Sequence, residues 1–282
     1  MKKEYNLGKM KNIEMFCISL EPLHKKFIQE LGYIPVGLGT NDFEKGWMRD
    51  NTGNNISKKN RYYGEYTFHY WIWKNYMDKL SDNWIGFCQY RKFWTIENFD
   101  NSSLDIKTLP SIVLKEIPED YGDCEAILGN RFYINQKKTM KFLKKGFKLI
   151  FKNPKLLFNK RSRNIKFHFD LMHGENNLYK AIDLLDNENK EDFRNYVNSM
   201  EYFHPQNMFI CKSKNLLKKY YETIFPWLEK CEKIFGFDNL TGYGKTRIYT
   251  FLAERFVSYW FKKNAKCKIM NITFYDIRND IN

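Results

Sequence analysis

The first hydrophobic run, Ile13 to Leu20, has the continuity of a buried strand, and Pro22 to Leu31 sets Leu23, Phe27, Ile28 and Leu31 at helical intervals. Gly32 to Gly37 reads as a second short strand entering a glycine turn. A strand, helix, strand opening points to a parallel sheet. After a polar stretch, Tyr63, Tyr66, Tyr70, Trp73 and Met77 recur at spacings of three and four behind Ser57, a residue able to cap a helix. Trp71 and Ile72 widen that stripe, so the helix is expected to be covered on more than one side. Trp84 to Cys88 is apolar throughout, as in a strand buried on both faces, and stops at Gln89-Tyr90-Arg91.

Further strands are predicted at Ile112 to Leu114, at Asp123 to Leu128, and along Glu201 to Ile210, where His204-Pro205 fixes a bend. Lys214 to Phe235 is an amphipathic helix with Tyr220, Ile224, Trp227 and Leu228 inward. Gly242 and Gly244 loosen a turn before a last long helix, Lys245 to Lys262, and Lys266 to Tyr275 closes as a strand. The class is α/β, one domain over 1–282, with a sheet-forming half, 1–135, and a more helical half, 136–282.

Composition narrows the partners without choosing one. A formal charge of +14 calls for an anionic partner, which nucleic acid, a phosphate-rich substrate and an acidic membrane all satisfy. The basic block Lys137 to Arg163, with Phe142, Phe147, Phe151 and Phe158 among its lysines, fits an anionic membrane surface. It equally fits a solvent-exposed helix pair packed on the sheet, and no nucleic-acid module accompanies it. The six cysteines show no CxxC or metal-ligand spacing, which suits small buried hydrophobes in a reducing compartment. No run is long enough for a membrane span and the amino-terminal stretch is too interrupted for a signal peptide, so a cytoplasmic protein, at most peripheral on the inner face of the plasma membrane, is expected.

Several residues could carry chemistry. Asp50, Asn51, Asn54 and Asn55 surround Gly53 in a loop of residues that bond their own backbone. Arg91 follows a buried strand, where open α/β sheets bind ligands, and its planar fork of donors suits phosphate; an ion pair within the fold suits it equally. Gly37 could let backbone approach a nucleotide, or simply turn the chain. His168, Asp170, His173 and Glu175 could supply a base with a carboxylate partner or part of a metal site, and a single histidine near a helix start is also a common structural residue. The Asp123-Cys124-Glu125 string precedes its strand rather than following it, which favours a solvated strand end over a cation clamp. On the last helix Arg247 and Glu254 are two turns apart; Glu254 could accept a proton from a hydroxyl, or pair with Arg255 to tie helix to sheet.

The strings Pro35-Val36-Gly37-Leu38-Gly39, D-N-T-G-N-N-I-S-K-K-N from Asp50, Y-G-E-Y-T-F-H-Y-W-I-W-K-N to Asn75 and I-G-F-C-Q-Y-R-K-F from Ile85 resemble a bacterial family carried as a domain of unknown function in capsule and lipopolysaccharide gene clusters, whose members are regarded as glycosyltransferases. Asn207-Met208-Phe209-Ile210, Trp227-Leu228, Arg247 and Phe251 to Arg255 extend the resemblance over most of the chain. It departs from the family pattern at Asn54 for Asp, Tyr66 for Leu and Gln89 for His; the last replaces a titratable ring by an amide, which removes any general-base role there.

The resemblance implies a GT-A-like nucleotide-sugar-binding domain with a mostly parallel central sheet and carboxyl-terminal helical elaborations. It implies a hexosyltransferase-type enzyme whose donor is a UDP-sugar, of galactofuranose type, and whose acceptor is a glycan or lipid-linked oligosaccharide. Gly37, Asp50, Asn55, Asn60, Gln89, Tyr90 and Arg91 would face the donor, His204, Asn207, Arg247 and Arg255 the sugar and acceptor, and Glu254, His173 and Asp170 the proton transfer. No metal ligand is assigned, although Mg or Mn against the diphosphate is compatible with this chemistry. The competing class is a non-catalytic basic peripheral protein that binds anionic lipid or nucleic acid through the basic block.

Overall fold

In the computed structural model, which describes residues 11–99, 104–136 and 163–281, the apolar runs pair into one ten-stranded sheet. Its main path is β11-β7-β10-β4-β1-β2-β3, where β1 is Lys11–Ser19, β2 Ile34–Gly37, β3 Met48–Arg49, β4 Trp84–Gln89, β7 Ala126–Leu128, β10 Phe209–Cys211 and β11 Cys267–Ile269. The pairs β11–β7 and β4–β1–β2–β3 are parallel, and β10 is antiparallel to both β4 and β7. Every strand of the path except β10 therefore points the same way. At its side, β5 (Lys92–Thr95) turns back from β4 and pairs with β12 (Asn271–Phe274), and β6 (Glu116–Ile117) pairs with β1, while β8 (Phe132–Tyr133) and β9 (Tyr202–Phe203) form a separate antiparallel pair. Strands from both sides of residue 136 share this sheet.

Side chains alternate between the two faces, as the pleat requires. Phe16, Ile85, Phe87, Leu128 and Phe209 enter the larger core with the Tyr66–Asn75, Lys214–Phe235 and Ile248–Asn264 helices; Met15, Cys17, Trp84, Cys88, Ile127 and Ile210 enter the smaller one with Phe27, Ile28 and Leu109. The Lys214–Phe235 helix has the predicted bounds, and its four predicted inward residues are all buried. Aromatic rings fill the larger core, with Phe16 5.6 Å from both Phe68 and Phe87, and Phe87 5.1 Å from Phe209. His69 lies among them, its ring 4.4 Å from Phe87 and its Nδ1 2.8 Å from the Tyr221 hydroxyl.

Five local expectations change. The helix predicted behind Ser57 is broken at Gly64 (φ +54°) into Asn60–Tyr63 and Tyr66–Asn75. The Gly64 carbonyl is taken by Asn60 Nδ2 and Thr67 Oγ1, which compete with helix continuation. Ser57 is no cap: its own N–H and hydroxyl donate to Asn55 Oδ1. In place of a strand at Ile112 to Leu114 stands the Leu109–Ile112 helix, after which Val113 bridges Thr95. Lys266 to Tyr275 is two strands, because Met270 donates its N–H to Leu128 and buries its side chain at the break, sending β12 to β5. Leu23, expected inward, is mostly exposed because its turn is a 3-10 helix ahead of Lys25–Glu30. The basic block over 137–163 lies outside the described residues except Arg163, which is buried. Among the described residues no helix is long and apolar enough to cross a membrane, and the six cysteines are free thiols, five of them buried.

The polar loop from Asp50 is braced by one amide. Asn75 accepts from Asn54 N at 3.0 Å and donates to Asn54 O at 2.8 Å, while Trp71 Nε1 donates to Thr52 Oγ1. Gly53 (φ +57°) permits this, since a Cβ there would lie 2.2 Å from Asn75 Oδ1. We expect Gly53→Ala and Asn75→Ala each to lower stability by about 1–2 kcal/mol, and the double variant to lose less than the sum because both remove one contact. Urea denaturation of the four proteins checks this; strict additivity would contradict it.

Candidate active site

The carboxyl end of β4 turns back through Tyr90 and Arg91, so that Gln89 pairs with Lys92 across a two-residue hairpin. Cross-strand partners share a face, and Lys92 Nζ donates to Gln89 Oε1 at 3.3 Å. Tyr90 takes the opposite face. Its ring is buried in the smaller core 5.4 Å from His24, with the Arg278 guanidinium 5.2 Å from its centroid. The expected Gln89-Tyr90-Arg91 floor is therefore Gln89 with Lys92, and Arg91 at the turn between them.

Opposite the hairpin the chain enters β10 through Gln206 (φ +83°) and Asn207 (φ +54°), two consecutive non-glycine residues in the left-handed region. Such backbone costs on the order of 1–3 kcal/mol per residue and persists only where its surroundings hold it. Gln89 Nε2 donates to Gln206 O at 3.2 Å, and Gln206 N donates to Glu254 Oε1 at 2.5 Å. Asn207 Nδ2 donates to Glu65 Oε1 at 2.7 Å and to Thr250 O at 3.3 Å. Glu65 in turn lies 3.5 Å from Arg247 Nη2. Gly64 leaves room for that guanidinium, because a Cβ on Gly64 would sit 2.1 Å from Arg247 Nη2. Glu254 pairs with Arg255, which is buried 3.8 Å over the Phe203 ring and reaches His168 Nδ1 at 3.2 Å. Arg247 precedes the Ile248–Asn264 helix instead of riding on it, which is why Arg247 and Glu254, expected to share a face, meet different partners.

Charge at this place is in surplus. Lys92 lies among Glu65, Glu254, Arg91 and Arg247, and Glu254 also holds Arg255, so four cations meet two carboxylates; Asp276, the carboxylate that interacts with Arg91, is already paired with Arg278. Burial pulls the Lys92 ammonium below the usual lysine range; Glu65 and Glu254 oppose that shift, and Arg91 and Arg247 add to it. Buried polar atoms without a partner gather here too: Arg91 Nε, Arg247 Nε, Gln206 Oε1 and Asn207 Oδ1. Unpaired buried groups cost free energy, so their concentration marks a place prepared for a polar ligand.

The structure thus brings together Gln89, Arg91, Asn207, Arg247, Glu254 and Arg255 of the residues expected from sequence. It adds Glu65, Lys92 and Gln206. Glu65 and Lys92 stood inside the quoted strings Y-G-E-Y-T and Q-Y-R-K-F, but only the broken helix and the hairpin turn them inward.

Other expected residues lie in the framework. The Cβ position of Gly37 is filled by the Phe43 ring, 2.5 Å away, so that face offers no approach to a ligand. Asn55 closes the turn at Ser57, and Asn60 bonds Gly64 and Thr67. Asp50 is buried after β3, and burial pushes its pKa up, against the opposing pull of the Thr67 hydroxyl and the Arg49 guanidinium. His173 is buried, with Nδ1 2.9 Å from Gly244 O and its ring 4.1 Å from Phe251. Asp170 pairs with Lys166 at 2.5 Å and accepts from Asn176 N. His204 bonds Gly129 O at 2.6 Å.

Among the described residues no group of three or more His, Cys, Asp or Glu side chains could hold a metal ion. Asp123 is engaged by Lys266 and Lys268, and Glu125 accepts from Lys266 N, so this string does not fit a cation clamp. A surface groove of about 490 Å³ lies elsewhere, between Leu23, Phe27, Ile106 and Ile281. It brings one carboxylate, Glu30, together with two lysines and no amide, and so lacks the converging donors and acceptors of the cluster.

A family described as a domain of unknown function, DUF4422, matches residues 21–265. No curated protein matches the chain. Among solved structures, an apo structure of WbbM, a bifunctional glycosyltransferase, is similar with a TM-score of 0.66 and 19% identity over 94% of this chain. The chain spans 45% of that longer protein. At this identity the likeness is one of fold, and the mixed α/β architecture is GT-A-like, as expected from the resemblance.

Of the four buried imidazoles, all lowered by burial, three are shifted far enough to make stability acid-sensitive. Burial lowers His69 and His173 to about 3 and His204 to about 4, from an unfolded value of 6.5. Each ring stays neutral in the fold while the unfolded chain takes up a proton, so stability is full above pH 6.5 and is lost as pH falls towards 4. The loss approaches roughly 1.4 kcal/mol per pH unit for each ring. His69→Gln should flatten the dependence of unfolding free energy on pH between 6 and 4 by about that amount; an unchanged slope would contradict the assignment.

Proposed function

The chain belongs to the DUF4422 family, and from that membership and the cluster at the end of β4 we propose that it is a glycosyltransferase, moving a sugar from a nucleotide-sugar donor to a glycan acceptor. The observation that carries the proposal is the Gln206–Asn207 turn, a strained backbone held by two glutamates beside a surplus of cations at the carboxyl end of a parallel strand. Open α/β sheets bind ligands at that end, and a diphosphate matches the charge. The likeness of fold to WbbM supports the same reading.

In this account Arg91 and Lys92 hold the diphosphate, and Gln89 fixes the hairpin against Gln206. The acceptor hydroxyl oxygen attacks the anomeric carbon; the bond from that carbon to the diphosphate oxygen breaks, and its electron pair leaves with the nucleoside diphosphate. The hydroxyl proton passes to Glu65. Both glutamates hold the Gln206–Asn207 turn, and Glu65 is chosen over Glu254 because its arginine is a quarter exposed and 3.5 Å away, whereas the arginine bound to Glu254 is fully buried. Glu254 and Arg255 are positioning residues. The donor we assign is a UDP-sugar, of galactofuranose type, and the acceptor a growing capsule or lipopolysaccharide glycan at the cytoplasmic face of the membrane. The donor side falls to the portion before residue 136 and the acceptor side to the portion after it.

A thermal-shift panel of nucleotides and nucleotide sugars tests the proposal, because a ligand specific for the folded state raises its melting temperature. A nucleoside diphosphate or its sugar is expected to do so. Lys92→Met and Arg91→Ala should each weaken that binding about 10- to 100-fold, the worth of a charge-assisted hydrogen bond. Glu65→Gln should keep the binding and lose transfer. No shift with any nucleotide, or full transfer by Glu65→Gln, would overturn the assignment.

A further inference from the structure

Tyr243 is the most exposed large hydrophobic side chain among the described residues, at 72%. An exposed aromatic ring is ordinary when it is loose; this one is held. It follows Gly242 (φ +75°) in the short Tyr243–Thr246 helix, whose Thr246 hydroxyl donates to Leu240 O at 2.9 Å. Next to it Gly244 fits against the Ile165–His173 helix so closely that a Cβ would lie 2.2 Å from Met172 O. The Gly244 carbonyl is bonded by His173, whose ring stacks on Phe251, and Phe251 meets Tyr243 edge-on with centroids 5.8 Å apart. Buried His173, half-buried Phe251 and exposed Tyr243 thus form a stack that ends in solvent.

The Arg247 guanidinium connects this stack to the charged cluster. It lies 5.8 Å from the Tyr243 centroid and 3.5 Å from Glu65. An apolar face beside a guanidinium and a carboxylate is the complement of a sugar ring, which presents C–H bonds on its face and hydroxyls around its rim. The Gly242–Arg247 turn approaches Glu65 from its own segment of the chain, apart from the β4–β5 hairpin that we assign to the diphosphate.

We propose that Tyr243 is the platform on which a sugar ring of the acceptor stacks, with Arg247 orienting one of its hydroxyls towards Glu65. The proposal rests on the glycosyltransferase reading above and assigns its acceptor site. His173 and Phe251 are positioning residues for the ring.

The test compares the full chain with Tyr243→Ala and Tyr243→Phe. The donor is the nucleotide sugar that raises the melting temperature most, and methyl galactofuranoside, methyl galactopyranoside and methyl glucopyranoside serve as acceptor probes. Transfer kinetics are read together with saturation-transfer NMR of the glycoside protons. Tyr243→Ala should raise the acceptor KM about tenfold or more and lose the saturation of the sugar C–H protons, with the donor-induced shift intact; Tyr243→Phe should keep both signals. With that shift intact, an acceptor KM within twofold of the unsubstituted chain in Tyr243→Ala, or unchanged saturation, overturns the platform alone. Absence of any nucleotide-induced shift and of transfer in the unsubstituted chain overturns the glycosyltransferase reading and the platform with it.

Discussion

The molecule is governed by how it inserts one reversed strand into an otherwise parallel path. β10 must run against β4 and β7, and the chain reaches it by passing Gln206 and Asn207 through left-handed backbone. That conformation is expensive for residues with a Cβ, so it needs fixed partners. Glu254 holds the first amide and Glu65 binds the second side chain. Both are carboxylates on helices of the larger core or their approaches, so the end of β4 and the turn beside it gather charged groups from three distant segments.

The aromatic core makes the arrangement stiff. Tyr66, His69 and Phe68 are buried on a helix that leaves Gly64 and Glu65 at its start, directly beside Arg247. Packing of large rings on fixed neighbours leaves few alternative rotamers. The position of Glu65 is therefore set by the interior, while the side chains that would meet a ligand stay partly accessible at the rim.

Much of the fold was legible in the sequence because its signals are local and strong. Lys214–Phe235 shows a clear helical stripe, and the unbroken apolar run at Trp84 to Cys88 has the length of a strand covered on both faces. Failures came where a backbone choice depends on distant contacts. Gly64 breaks its helix because Asn60 and Thr67 capture its carbonyl, and Met270 splits the closing strand because its side chain is wanted in the core. The site divides in the same way. Gln89, Arg91 and Asn207 stood out by residue type beside buried strands, and Arg247 and Glu254 as polar residues among the apolar positions of the last helix. Lys92 did not, since its direction is fixed by cross-strand pairing with Gln89, and Tyr90 was placed on the wrong face for the same reason. His173 looked chemical and is a brace, a role visible only once Gly244 and Phe251 are beside it.

A structure of the protein bound to a nucleoside diphosphate tests the central claim most directly. The account predicts phosphate oxygens within hydrogen-bonding distance of Arg91 and Lys92, with the Gln206–Asn207 turn still held by Glu254 and Glu65. A nucleotide seated in the groove between Leu23 and Ile281, with the cluster at the end of β4 paired only to itself, would contradict it.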